Sequence, residues 1–315
     1  MAMQNVIAIV GPTASGKTDL SIALAKRFGG EIVSADSMQI YREMNIGTAK
    51  PSPEEQCGVV HHLMGHVSVE ASYNVAAYVR DGNAVLRDLE LRGVLPVLCG
   101  GTGLYMDHLL QNTIFFEIPR KEEVRRKYQL FEKQHGREAL FTLLEQADPR
   151  LAASLHPNDV KRVIRGLEVF EITGRRLSDY QKESRRESPY RVLYIGLGYQ
   201  NRALLYERIN RRVDLMMEHG LESEVRALLS DFTLSPTARA AIGYKELIDA
   251  ISRGERIEDA VALIKQKSRN YAKRQLTWFH KNQKVHWLYV DQQDWPQLLE
   301  KAAGMTREFL RGEEL

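Results

Sequence analysis

The feature that most constrains this chain is the eight-residue segment GPTASGKT at positions 11–18. It follows an apolar run at 6–10 and precedes a helical pattern at about 18–28. The segment fits G-x-x-x-x-G-K-[ST] at every fixed position, in the strand–loop–helix context that this phosphate-binding motif requires. A chain that begins in this way is expected to form an α/β domain whose first strand carries the loop.

The residue types in this loop suit the binding of a phosphate chain. The glycines let the backbone approach phosphate oxygens closely, and the N–H groups at the start of the helix present positive potential. Lys17 supplies a mobile positive charge, and the hydroxyl of Thr18 can hold Mg²⁺, which we predict as the cofactor. ATP binding is also typical of such loops, so the motif leaves the reaction open. The predicted polyphosphate-binding residues are Gly11, Pro12, Thr13, Ala14, Ser15, Gly16, Lys17 and Thr18.

Further apolar runs predict an open parallel sheet flanked by helices. Strands covered on both faces are continuously apolar, and this pattern recurs after the first strand. The runs lie at 31–34, 94–99, 192–197 and 285–290, and helical patterns at about 75–91 and 201–284 separate some of them. The segment 117–189 is rich in charge and has no strand pattern, so we predict a helical insertion domain there. The α/β core then comprises 1–116 and 190–315.

Composition narrows the class of protein further. The chain is 43% hydrophobic with a formal net charge of +3, which is ordinary for a globular protein. Its two cysteines exclude a disulfide scaffold and a four-cysteine zinc site, and favour a reducing compartment. No apolar run is long enough to span a membrane. We therefore expect a cytoplasmic protein, which we take to be a monomer.

Polar residues follow the predicted strands where ligands bind in open α/β sheets. Asp36 and Asp291 each come after an apolar run, the position of a Walker-B acid, and the GTPase motifs D-x-x-G and N-K-x-D do not occur. Asp36 is expected at the same edge as Lys17, as a metal ligand, a general base or the cap of a turn. Thr102 lies in the glycine-rich turn GGTG at 100–103, where it caps a helix or contacts a ligand.

Taken together, these segments resemble the tRNA dimethylallyltransferase family, also called tRNA isopentenyltransferase. The segments follow the family's order along most of the chain, and those at 34–41, 47–51 and 273–278 are far more specific than the phosphate loop. The matching segments are GPTASGKT at 11–18, SADSMQIY at 34–41, MNIGTAKP at 44–51, GGTGLY at 100–105, HPND at 156–159, IGYK at 242–245 and KRQLTW at 273–278.

The resemblance implies transfer of a dimethylallyl group from dimethylallyl pyrophosphate to N6 of adenosine 37, in the anticodon stem-loop of tRNA. The phosphate loop, with Lys17, would then bind the pyrophosphate of the donor rather than ATP. Asp36 would be the general base for the N6 proton, and Thr102 would help to hold the reacting groups. Arg212 matches the family's pyrophosphate-binding arginine, with Arg208 and Arg211 as alternatives.

A basic and aromatic segment at 261–284 favours an RNA partner. It carries seven basic residues, no acidic residue and three aromatic residues, although a solvated helix face is the commoner explanation of any single basic cluster. Two other functions stay open from the residues alone, a nucleotide-kinase-like phosphotransferase and a non-catalytic RNA-binding NTPase. The predicted tRNA-binding residues are Asp36, Ser37, Met38, Gln39, Thr102, Arg125, Lys161, Arg162, Arg165, Ile242, Gly243, Tyr244, Lys245, Lys273, Arg274, Gln275, Thr277 and Trp278.

Overall fold

The computed structural model describes residues 3–119 and 121–313. The chain divides into two compact units. One comprises Met1–Leu110 and Ser188–Leu315, and the other is Gln111–Glu187. Among the helices described, none combines the length and the apolarity that crossing a membrane requires.

The first unit is built on a six-stranded sheet in which every strand pair is parallel. The strand order is β3-β2-β4-β1-β5-β6, so the strand that carries the phosphate loop is central. The predicted α/β class with an open parallel sheet is confirmed. Each predicted apolar run coincides with a strand, whereas β3 is too short to give such a run. The strands are β1 (Gln4–Val10), β2 (Gly30–Ser34), β3 (His61–His62), β4 (Leu95–Cys99), β5 (Tyr190–Gly198) and β6 (Val285–Tyr289).

Helices cover the sheet and add a helical region after β5. Side chains of β1 such as Ile7 and Ile9 pack with Leu20 and Leu24 of the first helix and with Leu298 of the last. Burial of this kind stabilises the layer because apolar area leaves water. The helices of this unit are α1 (Lys17–Phe28), α2 (Val75–Arg92), α3 (Gly103–Leu110), α8 (Arg202–Glu218), α9 (Leu221–Asp231), α10 (Pro236–Arg239), α11 (Tyr244–Arg253), α12 (Ile257–Phe279) and α13 (Trp295–Arg311).

The second unit is helical, and its described residues contain no strand. Leu140 and Leu144 pack against Val163 and Leu167 to form its core. Buried Asp148 accepts hydrogen bonds from the backbone amide of Leu151 and from the amide and hydroxyl of Ser178, and so ties two helices together. Its helices are α4 (Glu122–Ala147, interrupted at Gly136), α5 (Pro149–Ala152), α6 (Val160–Thr173) and α7 (Leu177–Glu183).

The carboxyl ends of β1, β2 and β4 bring three loops together at one edge of the sheet. The amide of Ala35 donates to the carbonyl of Cys99 (2.8 Å), and the amide of Thr102 donates to the carbonyl of Ala35 (3.1 Å). The amide of Gly100 donates to the carbonyl of Ile9. These bonds extend the sheet by one step and place the loops after the three strands side by side.

Candidate active site

The phosphate loop adopts a backbone that depends on glycine. Gly11 and Gly16 have φ angles of 142° and 89°, and a Cβ atom at Gly11 would overlap the carbonyl of Leu197. The loop lines a cavity of about 400 Å³. Ser15 contributes to this cavity, and its buried hydroxyl oxygen has no hydrogen-bond partner in the part of the chain that the structure describes. Because buried polar atoms normally have partners, this hydroxyl is suited to a ligand oxygen.

Two arginines of α8 reach the loop from the far side of the cavity. Arg212 donates to the hydroxyl of Thr13 (3.0 Å), and Arg208 donates through Nε to the carbonyl of Ala14 (3.0 Å). The two arginines are four residues apart and therefore share one face of the helix. Arg211 points to another face and is exposed. Of the three arginines considered from the sequence, Arg212 is the one that lines both cavities of the site.

Lys17 lies inside the loop, where its ammonium donates to the carbonyl of Pro12 (2.6 Å). Burial lowers the pKa of Lys17 to about 8, and the nearby charge of Arg212 contributes to this fall while Asp36 opposes it. Burial also lowers the pKa of Arg212, again opposed by Asp36. Lys17 and Arg212 therefore join Arg208 in concentrating positive charge at the loop, which favours a polyanionic ligand there.

A second cavity, of about 230 Å³, adjoins the loop through Thr13 and Arg212. One part of its wall is apolar and the other is polar, so it can take an apolar group next to a charged one. The apolar lining includes Ile209, Val213, Met216 and Ile264, and the polar lining includes Asp36, Ser37, Ser268, Tyr271 and Arg274.

Asp36 has one of the roles that its position in the sequence allowed, the cap of a turn. Its Oδ1 accepts hydrogen bonds from the amides of Met38 (2.9 Å) and Gln39 (3.3 Å), so it caps the turn that follows β2. The same side chain lines the second cavity, close enough for its charge to oppose the fall in the pKa of both Lys17 and Arg212. A capped carboxylate is held in one orientation, which is what a base that must meet a substrate proton requires.

Thr102 fixes the backbone beside Asp36. Its Oγ1 accepts a hydrogen bond from the amide of Ser37 (3.1 Å) and lies 3.3 Å from the hydroxyl of Ser37. Asp291, the other candidate acid, instead accepts from the amides of Gln200 (3.0 Å) and Asn201 (2.8 Å). It is not among the residues that line either cavity, so its carboxylate caps a loop outside the site.

The loop at 44–51 forms a wall of both cavities, and its main anchor was not predicted from the sequence. Glu224 of α9 accepts hydrogen bonds from the amides of Asn45, Ile46 and Gly47 and from the hydroxyl of Tyr244. From the other side, the Gln39 amide donates to two carbonyls of the loop. Tyr244 is thus buried with an internal partner. A single glutamate on an amphipathic helix carries no local sequence signal for this role.

The predicted RNA-binding residues of α12 differ in exposure. Lys273, Arg274 and Thr277 are exposed, and Arg274 lies over the ring of Tyr271 beside the second cavity. Trp278 donates from its indole nitrogen to Asp107 (2.8 Å). Two further predicted contacts, Ile242 and Gly243, line the second cavity, and Lys245 is exposed.

Gln275 of α12, also predicted to contact RNA, is buried instead. Its Oε1 accepts from the amide of Thr13 (2.8 Å), and its Nε2 donates to the carbonyl of Gly101 (3.0 Å). Only 4% of the residue is exposed. Both polar groups of its amide therefore have partners within the protein.

The four predicted RNA contacts in the second unit lie on α4 and α6, and three of them pair with acidic residues. Arg125 of α4 and Arg165 of α6 both pair with the buried carboxylate of Glu168, at 3.6 Å and 2.9 Å. On the same helix α6, Arg162 pairs with Asp159 and Lys161 is exposed. The ion pairs hold the two arginines at fixed positions within this unit.

Comparison with known proteins decides the family. The profile of the family described as IPP transferase matches residues 39–282, and that of the family described as isopentenyl transferase matches residues 4–69. The chain belongs to the IPP transferase family. The resemblance inferred from the sequence segments is therefore confirmed.

Relatives of this IPP transferase cover nearly the whole chain. The tRNA dimethylallyltransferase of Caldanaerobacter subterraneus subsp. tengcongensis is 44% identical over 294 residues, 92% of this chain and 93% of the relative. That of Oceanobacillus iheyensis is 45% identical over 288 residues, 91% of this chain and 92% of the relative.

Solved structures of IPP transferases share the fold. The full-length tRNA isopentenylpyrophosphate transferase of Bacillus halodurans is 39% identical and superposes with a TM-score of 0.74, covering 98% of this chain and 97% of that one. A eukaryotic dimethylallyltransferase acting on tRNA is 28% identical and superposes with a TM-score of 0.83, covering 99% of this chain and 81% of that one.

Proposed function

We propose that this IPP transferase moves the dimethylallyl group of dimethylallyl pyrophosphate to N6 of adenosine 37 in tRNA and releases pyrophosphate. One observation carries the proposal. A cationic phosphate loop opens beside a partly apolar cavity that presents a carboxylate, and Arg212 lines both spaces. The names of the relatives, tRNA dimethylallyltransferases, support the same reaction. They do not favour the alternative of a nucleotide-kinase-like phosphotransferase.

The phosphate loop would bind the pyrophosphate of the donor. Departure of this group is the step that needs most assistance, because negative charge builds up on the oxygen that leaves the allylic carbon. Donors that are already in place stabilise such charge without reorganisation. Lys17, Arg212 and residues 14–18 of the loop line the 400 Å³ cavity, where they would stabilise this charge. The apolar side chains of the adjoining cavity suit the five-carbon group.

The acceptor side would be organised by Asp36. An exocyclic adenine amine is a poor nucleophile, since its lone pair is delocalised into the ring. As the new bond between N6 and the allylic carbon forms and the carbon–oxygen bond to pyrophosphate breaks, the Asp36 carboxylate takes up the N6 proton. The target base must leave its stack to enter the cavity, and Tyr271 and Arg274 offer it an aromatic and a cationic surface there.

Residues of the first cavity also suit Mg²⁺. The hydroxyl of Thr18 and the carboxylates of Asp19 and Glu55 line it, and Mg²⁺ prefers hard oxygen ligands. Thr18 would hold the ion together with oxygens of the pyrophosphate. When bound, Mg²⁺ would neutralise part of the charge of the leaving group. We also propose that the enzyme acts as a monomer in the cytoplasm, where its tRNA substrate would be found.

Donor binding is expected to weaken as the pH rises above 8. The pKa of Lys17 in the free protein is about 8, whereas the pyrophosphate favours the charged ammonium. Binding above this pH must therefore take up a proton, and the dissociation constant should rise by up to about tenfold per pH unit. Calorimetric titration of the donor between about pH 7 and pH 9.5 measures this dependence. The Lys17→Met variant should bind more weakly with a flatter profile, and an equally steep profile would reject this assignment to Lys17.

Removal of Lys273 and Arg274 is expected to weaken tRNA binding and its dependence on salt. For each cation that no longer meets a phosphate, the slope of log affinity against log salt concentration should fall by about 1. Filter binding of the anticodon stem-loop at several salt concentrations compares the doubly alanine-substituted protein with wild type. Lys301→Ala combined with Arg311→Ala removes the same charge from α13 as a control. Equal slopes for both double variants would contradict specific contacts at Lys273 and Arg274.

One assay tests the proposed reaction itself. The protein is incubated with Mg²⁺, dimethylallyl pyrophosphate and an anticodon stem-loop that carries adenosines at positions 36 and 37. Mass spectrometry should find RNA heavier by one isopentenyl unit, and no gain when guanosine replaces adenosine 37. In a parallel incubation that supplies ATP and a nucleoside acceptor, ATP consumption together with unmodified RNA in the first incubation would instead support the kinase-like alternative.

A further inference from the structure

Gln275 connects two loops that belong to different sides of the site. Its contact to the amide of Thr13 is on the phosphate loop after β1, and its contact to the carbonyl of Gly101 is on the turn after β4. The residue comes from α12, which is distant from both loops in sequence. The contact is also tight, because a Cβ atom at Gly101 would overlap the Gln275 amide nitrogen. Gly101 therefore allows the helix to approach the turn this closely.

Each of the two loops that Gln275 joins also contacts a residue that we assign to the proposed reaction or to its support. On the donor side, the hydroxyl of Thr13 accepts a hydrogen bond from Arg212 (3.0 Å). On the acceptor side, Thr102 follows Gly101 and fixes the amide of Ser37, the neighbour of Asp36. The buried amide thus links the loop that would hold pyrophosphate directly to the turn that would position the base.

We propose that Gln275 is a positioning residue that sets the distance between the donor's allylic carbon and the acceptor nitrogen. This inference rests on the transfer reaction proposed above. A transfer between two bound groups depends steeply on their separation, and a displacement of about 1 Å can cost about 10²-fold in rate. A buried amide whose oxygen and nitrogen are both hydrogen-bonded is rigid and suited to holding such a distance.

A positioning residue differs from one that only stabilises the fold in the quantity that its loss changes. Loss of a stabilising hydrogen bond lowers the unfolding temperature and leaves the rate constant of the folded enzyme unchanged. Loss of a positioning interaction lowers the rate constant at saturating substrate while substrate binding persists, because the interactions that bind each substrate are still made. The rate constant at saturation is therefore the decisive quantity.

The test compares Gln275→Met with Gln4→Met. Gln4 also makes a long-range bond from its side chain to a backbone carbonyl, that of Leu86 (2.9 Å), away from the site. Single-turnover transfer to the anticodon stem-loop is measured at saturating donor and RNA, together with the donor dissociation constant and the unfolding temperature. We expect Gln275→Met to lose about 10²-fold in the rate constant with donor affinity within about threefold, and Gln4→Met to keep its rate.

A rate constant for Gln275→Met within about threefold of wild type would overturn the inference, as would an equal loss in Gln4→Met. If Gln275→Met does not fold, Gln275→Asn replaces it. The asparagine amide is too short to reach both loops, so the same loss of rate is expected, and a wild-type rate would again overturn the inference. Wild-type protein that modifies no RNA would instead contradict the proposed function, so the two failures are distinguishable.

Discussion

Asp36→Asn is expected to slow dimethylallyl transfer by about 10²–10⁴-fold while donor binding persists. Asparagine keeps an oxygen at the position of Oδ1, so it can still cap the turn through the amides of Met38 and Gln39. The turn should therefore keep its shape. What the variant loses is the capacity to accept the N6 proton as the new bond forms. Single-turnover mass spectrometry of the RNA measures the rate, and calorimetry measures donor affinity.

The matched control for this variant is Asp291→Asn. Asp291 also follows a strand and accepts two backbone hydrogen bonds, from Gln200 and Asn201, but it is not among the residues that line the cavities. The Asp291→Asn variant should therefore transfer the dimethylallyl group at the wild-type rate. Because the two substitutions are chemically identical, a difference between them isolates the proton-accepting role. Normal turnover by Asp36→Asn would show that this carboxylate is not the base.

Arg212→Met is expected to lower the transfer rate by about 10²–10³-fold, the cost of removing one preorganised donor from developing negative charge. Among the three arginines of α8 considered above, Arg212 is the one that lines both the 400 Å³ and the 230 Å³ cavity. Burial already lowers the pKa of its guanidinium, so its charge is poorly solvated in the free protein. A bound pyrophosphate would supply the missing counter-charge, and donor affinity should fall together with the rate.

Arg211→Met serves as the control, since Arg211 is adjacent in sequence but exposed. It removes the same charge from the same helix without touching the loop. Steady-state kinetics with the donor as varied substrate separates effects on binding and on turnover. Equal losses in both variants would indicate that only the overall charge of α8 matters, which would contradict a specific role for Arg212.

The parts of the site that the sequence predicted well are those encoded locally. The phosphate loop depends on glycines and a lysine within eight residues, directly after an apolar strand. The loop motif and the strand before it could therefore both be recognised in the sequence. The position of Asp36 at the same edge followed from the rule that ligands bind beyond the carboxyl ends of parallel strands. Arg208 and Arg212 are four residues apart, so helical spacing places them on the same face of α8. In the structure both contact the phosphate loop, whereas Arg211 is exposed.

The parts that the sequence did not reveal depend on contacts between distant residues. Gln275 lies in a basic helix whose pattern indicates RNA binding, yet the structure buries it between two loops. Tyr244, also predicted to contact RNA, donates to Glu224, which anchors the loop at 44–51. Periodicity and composition describe which face of an element is apolar. They do not specify which polar side chain will bridge two loops once the sheet has formed.

Asp36 depends on both kinds of information, local sequence and contacts between distant residues. Its sequence neighbours are equally typical of a turn cap and of a base, and local patterns do not choose between these roles. In the structure Oδ1 makes the cap, and the same side chain faces the cavity and interacts with Lys17 and Arg212. The structure therefore shows the cap, and the position of the side chain at the cavity supports the base role proposed above.

The most direct test of the account is a crystal structure of the protein with Mg²⁺ and the unreactive donor analogue dimethylallyl S-thiolodiphosphate. We expect the diphosphate to lie on the amides of the phosphate loop, in contact with Lys17 and Arg212, and the allylic carbon to point into the cavity that Asp36 lines. A diphosphate bound away from this loop, or an allylic carbon directed away from Asp36, would contradict it.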